Sequence, residues 1–185
     1  MSVWAVTGYK PFELGIFKLN DPAVSYIKKA IEKELRALLD EGLEWVLISG
    51  QPGVELWAAE TVFLLQEEFP HLQLAVITPF LEQEARWKEE QREYYEMVVS
   101  QADFVDSVSK EAYTSPQQFR NKNVFFLKNT DGLLVLYDEE TPGNVKYMYE
   151  LAKAYQEKFP YDIRQLGFYD LQLMVEEEQM KNQGW

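Results

Sequence analysis

Apolar positions recur along this chain in two rhythms. Short continuous apolar runs stand at 3–6, 45–48, 72–77 and 133–137, with weaker candidates at 103–108 and 162–166. Runs this short, bounded by Gly, Pro, Asn or Asp, predict buried strands. Between them the spacing turns helical. Pro22 to Gly42 carries Ile27, Ile31, Leu35 and Leu38 on one stripe, with Asp21 as N-cap and Pro22 at the first helical position. Further helices are predicted from Val54 to about Pro70, over 83–101, over 116–129, over 145–159 and over 169–180. Residues 12–20 are irregular and rich in large apolar side chains, and predict a loop folded over strand ends. Strands alternating with helices imply an α/β fold: a doubly wound, mostly parallel sheet with helices on both faces, in one domain over 1–185 with a frayed C-terminal tail. Such sheets bind ligands outside the carboxyl ends of their strands.

The sharpest local signal is WVLISGQPGVELWAAE, residues 45–60. A strand here ends in a glycine-bearing turn and feeds a helix, so backbone N–H groups and the positive end of the helix dipole can meet an anion. Ser49, Gly50, Gln51 and Gly53 are the candidate contacts, with Glu55 in the first helical turn to hold ribose hydroxyls or serve as a base. Glu55 could equally be an acidic residue complementing the helix dipole. The turn is neither G-x-G-x-x-G nor a Walker loop, so a familiar dinucleotide or ATP mode is not supported. Other strand exits offer Thr7, Gly8 and Tyr9, then Thr78 and Pro79. Thr141, Gly143 and Asn144 sit before another helix N-terminus and could be phosphate donors or a plain cap. Arg86 could pair with phosphate, and Trp57 or Trp87 could stack on a base.

Charge and composition narrow the partners. The net charge is −13, which argues against nucleic acid, whose non-specific binding needs dense Lys and Arg. The absence of cysteine excludes disulfides, thiolate metal sites and cysteine nucleophiles, and the single His71, expected at the surface, excludes paired-His ligation. No metal is expected. No basic leader opens the sequence and no apolar run reaches the ~20 residues of a membrane span, so a cytoplasmic protein without a membrane partner is expected. Oligomeric state is left open, a homo-oligomer included.

The stretches TGYKPFELGIF, LDEGLEWVLISGQPGVELWAAE, AVITPF and DGLLVLYDEETPGNVKYM together resemble the bacterial YpsA family of the SLOG superfamily, whose relatives are DprA-like and LOG-like. The resemblance spans essentially the whole chain. It implies a Rossmann-type fold binding a nucleotide or nucleotide-derived ligand, and fixes no activity. Ser49, Gly50, Gly53, Val54 and Glu55 are similar to the DprA-type S-G-x-x-x-G-[IV]-D turn, with the second glycine one position early and Glu for Asp. Pro142, Gly143 and Glu150 fit the LOG-type P-G-G-x-G-T-x-x-E motif. Asn144, Lys146 and Tyr147 replace its other glycines and its threonine, which argues against N-glycosidic hydrolysis.

The expectation is therefore a module that binds or senses a small nucleotide-derived or ADP-ribose-like ligand. The alternatives are a hydrolase of a nucleotide or nucleoside bond, with Glu55 or Glu150 as base, and an interaction protein with a vestigial pocket.

Overall fold

The computed structural model describes residues 2–184. Its elements are β1 (Ser2–Gly8), α1 (Pro22–Asp40), β2 (Leu43–Ile48), α2 (Val54–Gln66), β3 (Gln73–Thr78), α3 (Glu89–Gln101), β4 (Phe104–Ser107), α4 (Gln117–Lys128), β5 (Gly132–Leu136), α5 (Val145–Gln156), β6 (Asp162–Leu166) and α6 (Phe168–Asn182). The strands form one six-stranded sheet in the order β4-β3-β2-β1-β5-β6, every neighbouring pair parallel. The sheet is thus parallel throughout, as continuous apolar runs require: a strand covered on both faces has no solvent side to alternate toward. In β5 all five residues of GLLVL are buried.

Strand order reverses at β1. β2, β3 and β4 lie to one side and β5 and β6 to the other, so β1 and β5 flank the switch point where open α/β sheets form their crevice. Right-handed crossovers put α1, α2 and α3 on one face, where α1 also meets α6. The long return from β4 to β5 puts α4 on the opposite face, in contact with α5. Asp21 caps α1 as its position implies, its carboxylate accepting from the Ala23 N–H at 2.9 Å.

Three boundaries differ from the sequence pattern. Helix α3 begins at Glu89, six residues later than 83–101 predicts. Glu82 adopts φ +57°, which no helix continues through, and the Leu81 N–H is taken by the Glu111 carbonyl. Arg86 and Trp87 therefore precede the helix rather than ride on it. Residues 12–20 are not wholly irregular, because Pro11–Leu14 form a 3₁₀ turn after β1. Helix α5 stops at Gln156. The frayed tail expected at the C-terminus is helical through Asn182, and Trp185 lies outside the described residues. No helix among the described residues is long and apolar enough to cross a membrane.

Candidate functional site

The carboxyl ends of β1 and β2 meet the start of α2, and the side chain that joins them is Glu55. It is 4% exposed. One carboxylate oxygen accepts from the Ser49 N–H at 2.8 Å, the Ser49 hydroxyl at 2.7 Å and the Gln51 N–H at 3.3 Å. The other accepts from the Thr7 hydroxyl at 2.8 Å. The fold thereby meets the positive end of α2 with its own carboxylate, which satisfies the donors that a strand-to-helix turn leaves open. The structure thus joins Thr7, Ser49, Gln51 and Glu55 in one cluster.

The bend from Gly50 to Gly53 does not face open space, contrary to the reading of free amides awaiting an anion. Gly53 has φ +95°, and a Cβ there would stand 2.3 Å from the Tyr9 carbonyl oxygen, so the bend is packed against the chain leaving β1. Gly50 lies under Tyr95 and Gln83. The Gln83 amide donates to the Ser49 carbonyl at 2.8 Å and accepts from the Gln51 side chain at 2.7 Å. Gly8 is needed for close approach, since a Cβ there would collide with Val54 at 2.7 Å.

At the switch point itself Tyr9 fills the gap between β1 and β5. It is fully buried, and its hydroxyl accepts from the Asp138 N–H at 2.8 Å. The hydroxyl proton faces the Thr141 carbonyl at 2.6 Å, with the Asp138 carbonyl at 3.0 Å. Burial pushes this phenol above its ordinary range. The loop before α5 is occupied in the same manner. Glu13, from the 3₁₀ turn, accepts from the Lys10 N–H at 2.8 Å and from the Asn144 N–H at 3.1 Å, with its carboxylate lying over Gly143. Thr141, Gly143 and Asn144 thus stand at the crevice beside Tyr9, with an internal carboxylate where an anion was expected.

The remaining candidates separate. Thr78 and Pro79 are buried at the end of β3, where the Thr78 hydroxyl donates to the Phe80 carbonyl at 3.1 Å. Trp57 is 3% exposed and belongs to the core, which removes it as a ring for stacking. Trp87 is half-buried and meets Tyr95 edge-on at 5.2 Å. Arg86 is exposed. Glu150 lies outward on α5, 3.9 Å from Lys146, and is not brought to the crevice as a catalytic candidate would need.

Sequence reasoning missed Gln83, Tyr95, Glu13 and one cation. Lys122 of α4 is half-buried, with its ammonium 5.2 Å from the Phe126 ring centroid. Burial pulls its pKa down, Glu55 partly restores it, and Lys10 opposes it further. No acidic partner stands within 4 Å of it among the described residues. Its neighbour Asn123 holds a buried amide oxygen with no hydrogen-bond partner. The available signal was the row Gln118, Lys122 and Phe126 at i, i+4 spacing, whose outer members are both buried. A depression of about 490 Å³ lies elsewhere, between α1 and α2, lined by Leu19, Lys28, Glu60 and Leu64 among others.

Comparisons with known proteins agree with this architecture. The sequence model of the family described as the YspA SLOG family matches residues 4–171. Curated relatives called UPF0398 protein, from Bacillus thuringiensis strain Al Hakam and Bacillus cereus strain AH187, are each 59% identical over 182 residues, 98% of this chain and 99% of theirs. Among solved structures, the chain resembles DNA processing protein A from Helicobacter pylori, studied for its single-stranded DNA binding mode. The TM-score is 0.52 at 14% identity, covering 96% of this chain and 81% of that one, a likeness of fold alone.

Proposed function

The chain belongs to the YspA SLOG family, and from that premise we propose that it is a cytoplasmic module that binds or senses a small nucleotide-derived ligand at the carboxyl edge of its sheet. The observation that carries the reading is the meeting of the carboxyl ends of β1 and β2 with the start of α2, which gathers Thr7, Ser49, Gln51 and Glu55 at the edge where open α/β sheets bind their ligands. Binding rather than turnover is favoured because Glu55 already has donors on both oxygens. A general base needs a free lone pair within reach of the proton it takes.

Two other readings have specific support. The filled bend at Gly50 and Gly53 favours an interaction protein whose pocket is vestigial. The fold shared with DNA processing protein A brings single-stranded DNA forward as a partner, against which the charge of −13 stands. A thermal-shift screen of the full chain against nucleotides, ADP-ribose and a single-stranded oligonucleotide separates the three. Stabilisation by a nucleotide, without conversion of it, supports the proposal; a ligand at 100 times its Kd adds ~2.7 kcal/mol of apparent stability. Turnover that disappears in Glu55→Gln would favour the hydrolase. Response to the oligonucleotide alone, or to nothing, would defeat the proposal.

A further inference from the structure

Three aromatic rings stand together beyond the carboxyl ends of β3 and β4. Phe80 follows β3, Tyr113 rides on the loop after β4, and Phe119 lies in the first turn of α4. Ring centroids are 5.2 Å apart for Phe80 and Tyr113, 5.3 Å for Phe80 and Phe119, and 6.2 Å for Tyr113 and Phe119. Phe80 is buried, whereas Tyr113 and Phe119 are 54% and 38% exposed. None of the three belongs to the hydrophobic core of the described residues. Core packing therefore does not explain why three separate segments bring these rings together and leave two of them open to water.

The loop that carries Tyr113 is fixed from behind by Gln118, a buried polar residue. Its side-chain oxygen accepts from the Thr114 N–H at 2.7 Å and the Ser115 N–H at 3.2 Å, and its amide donates to the Ser109 hydroxyl at 3.0 Å and the Ala112 carbonyl at 3.1 Å. Backbone bonds tie the same loop to the exit of β3: the Val108 N–H donates to the Thr78 carbonyl at 2.8 Å, and the Leu81 N–H to the Glu111 carbonyl at 2.8 Å. Phe119 is the next residue after Gln118, so one buried side chain sets both open rings relative to each other. Rings held in place before a partner arrives lose little conformational freedom when it binds.

The exit of β3 also leads to the Glu55 cluster. Gln83, three residues past Phe80, donates to the Ser49 carbonyl at 2.8 Å and accepts from the Gln51 side chain at 2.7 Å. Three residues reach at most ~11 Å, so rings and cluster share one stretch of the ligand-binding edge. The neighbours of the open rings are polar and exposed, Thr114 beside Tyr113 and Arg120 beside Phe119. Open rings with polar neighbours suit a flat group with apolar faces and a polar rim, not an aliphatic chain. We infer that Tyr113 and Phe119, braced by Phe80, form a stacking surface for a nucleobase, that of the proposed ligand. This deepens the nucleotide-binding reading and rests on it for the rest of the ligand. The role sought for Trp57 and Trp87 thus falls to rings on the far side of β3.

The test uses the full chain, with affinity read by calorimetry. AMP and ADP-ribose carry a base, ribose 5-phosphate carries none, and a single-stranded oligothymidylate carries bases on a polymer. Tyr113→Ala should bind AMP and ADP-ribose about tenfold more weakly than the unaltered protein, as expected for loss of one stacked ring. Its affinity for ribose 5-phosphate should be unchanged, and its ligand-free melting temperature should stay close to that of the parent, since Tyr113 lies outside the core. Tyr113→Phe keeps the ring and should keep the affinity. Equal affinity for AMP and ADP-ribose in Tyr113→Ala overturns the inference and leaves the nucleotide reading intact. A parallel loss of ribose 5-phosphate binding also overturns it, because the ring would then brace the site rather than stack on a base. Tyr113-dependent binding of oligothymidylate by a protein that takes neither AMP nor ADP-ribose supports the stacking surface and defeats the small-ligand reading. Failure of the unaltered protein to bind any base-bearing probe overturns the inference.

Discussion

Truncating Glu55 should destabilise the whole sheet edge, because one side chain ties two strand ends to a helix start. The carboxylate receives three short hydrogen bonds, from the Ser49 N–H at 2.8 Å, the Ser49 hydroxyl at 2.7 Å and the Thr7 hydroxyl at 2.8 Å, and a longer one from the Gln51 N–H at 3.3 Å. In Glu55→Ala the two hydroxyls can rotate to other acceptors. The Ser49 N–H cannot, and Ser49 is fully buried. A stranded buried donor costs about 1–3 kcal/mol, and losing hydrogen bonds to a charged acceptor adds about 1.5–3 kcal/mol, part of which water entering the vacated space restores. The net expectation is about 3 kcal/mol. For a chain of this size each kcal/mol lowers the melting temperature by about 2–4 °C, so the variant should melt about 6–12 °C below the parent.

Glu55→Gln discriminates the hydrogen bonds from the bulk. Its amide oxygen can take the place that faces Ser49, and its NH2 can donate to the Thr7 hydroxyl, which accepts as readily as it donates. Charge assistance is lost but no donor is stranded, so the loss should be about 1 kcal/mol. Calorimetric melts of the three proteins in one buffer give the comparison. Glu55→Ala melting within 1 °C of the parent would refute the idea that this carboxylate braces the edge. A Gln variant as unstable as the Ala variant would show that the negative charge itself, and not the satisfied donors, is what the fold requires.

Three further outcomes follow from the same geometry. Tyr9→Phe removes the hydroxyl that serves the Asp138 N–H and the Thr141 carbonyl, which should cost about 1–3 kcal/mol by chemical denaturation; an unchanged denaturation midpoint would contradict the role of Tyr9 as the plug of the β1–β5 switch point. Gly53→Ala should cost more than Gly8→Ala, because its Cβ would meet backbone oxygen at 2.3 Å with φ at +95°, whereas at Gly8 the obstacle is the Val54 side chain; equal melting temperatures would count against this ranking. Burial pushes the Tyr161 phenol up to about 12 from 10.0, outweighing the hydrogen bond with Thr130 that favours ionisation. The folded protein then keeps a proton that the unfolded chain releases, so this contribution is full below pH 10 and is lost between pH 10 and about 12, amounting to about 3 kcal/mol at 1.36 kcal/mol per unit. Guanidinium titrations should show Tyr161→Phe losing less stability than the parent across that window, and parallel losses would exclude Tyr161 as the cause.

How much was legible follows from where the information resides. Val46, Leu47 and Ile48 declare a buried parallel strand because burial on both faces forbids polar alternation, and that is a property of adjacent residues. The turn after them is equally local, since its glycines mark where backbone meets backbone. The occupants of the site are not local. Thr7 reaches Glu55 across 48 positions, and Glu13 reaches Asn144 across 131. A sequence shows an acid in the first turn of a helix and a glycine-bearing bend, but not that the acid consumes the donors of the bend. The start of α3 was misplaced for a related reason: 83–88 carries helix-forming residues, yet Gln83 is engaged by Gln51 and Ser49 and Glu82 turns left-handed.

Lys122 was hidden by a rule that is right for most lysines. In a helix reading QQFRNKNVFFLK, a lysine is assigned to solvent, yet Lys122 is half-buried, between Gln118 and Phe126, which are buried one turn away on either side. Net charge misdirects in the same way, because −13 is a sum over a surface crowded with carboxylates. The field a ligand meets is that of the few groups lining its entry. A globally acidic composition therefore does not fix the sign of the charge at a crevice. Repulsion from surface carboxylates grows with every phosphate lying outside such a crevice, so it acts more strongly on a long polyanion than on a small phosphorylated ligand.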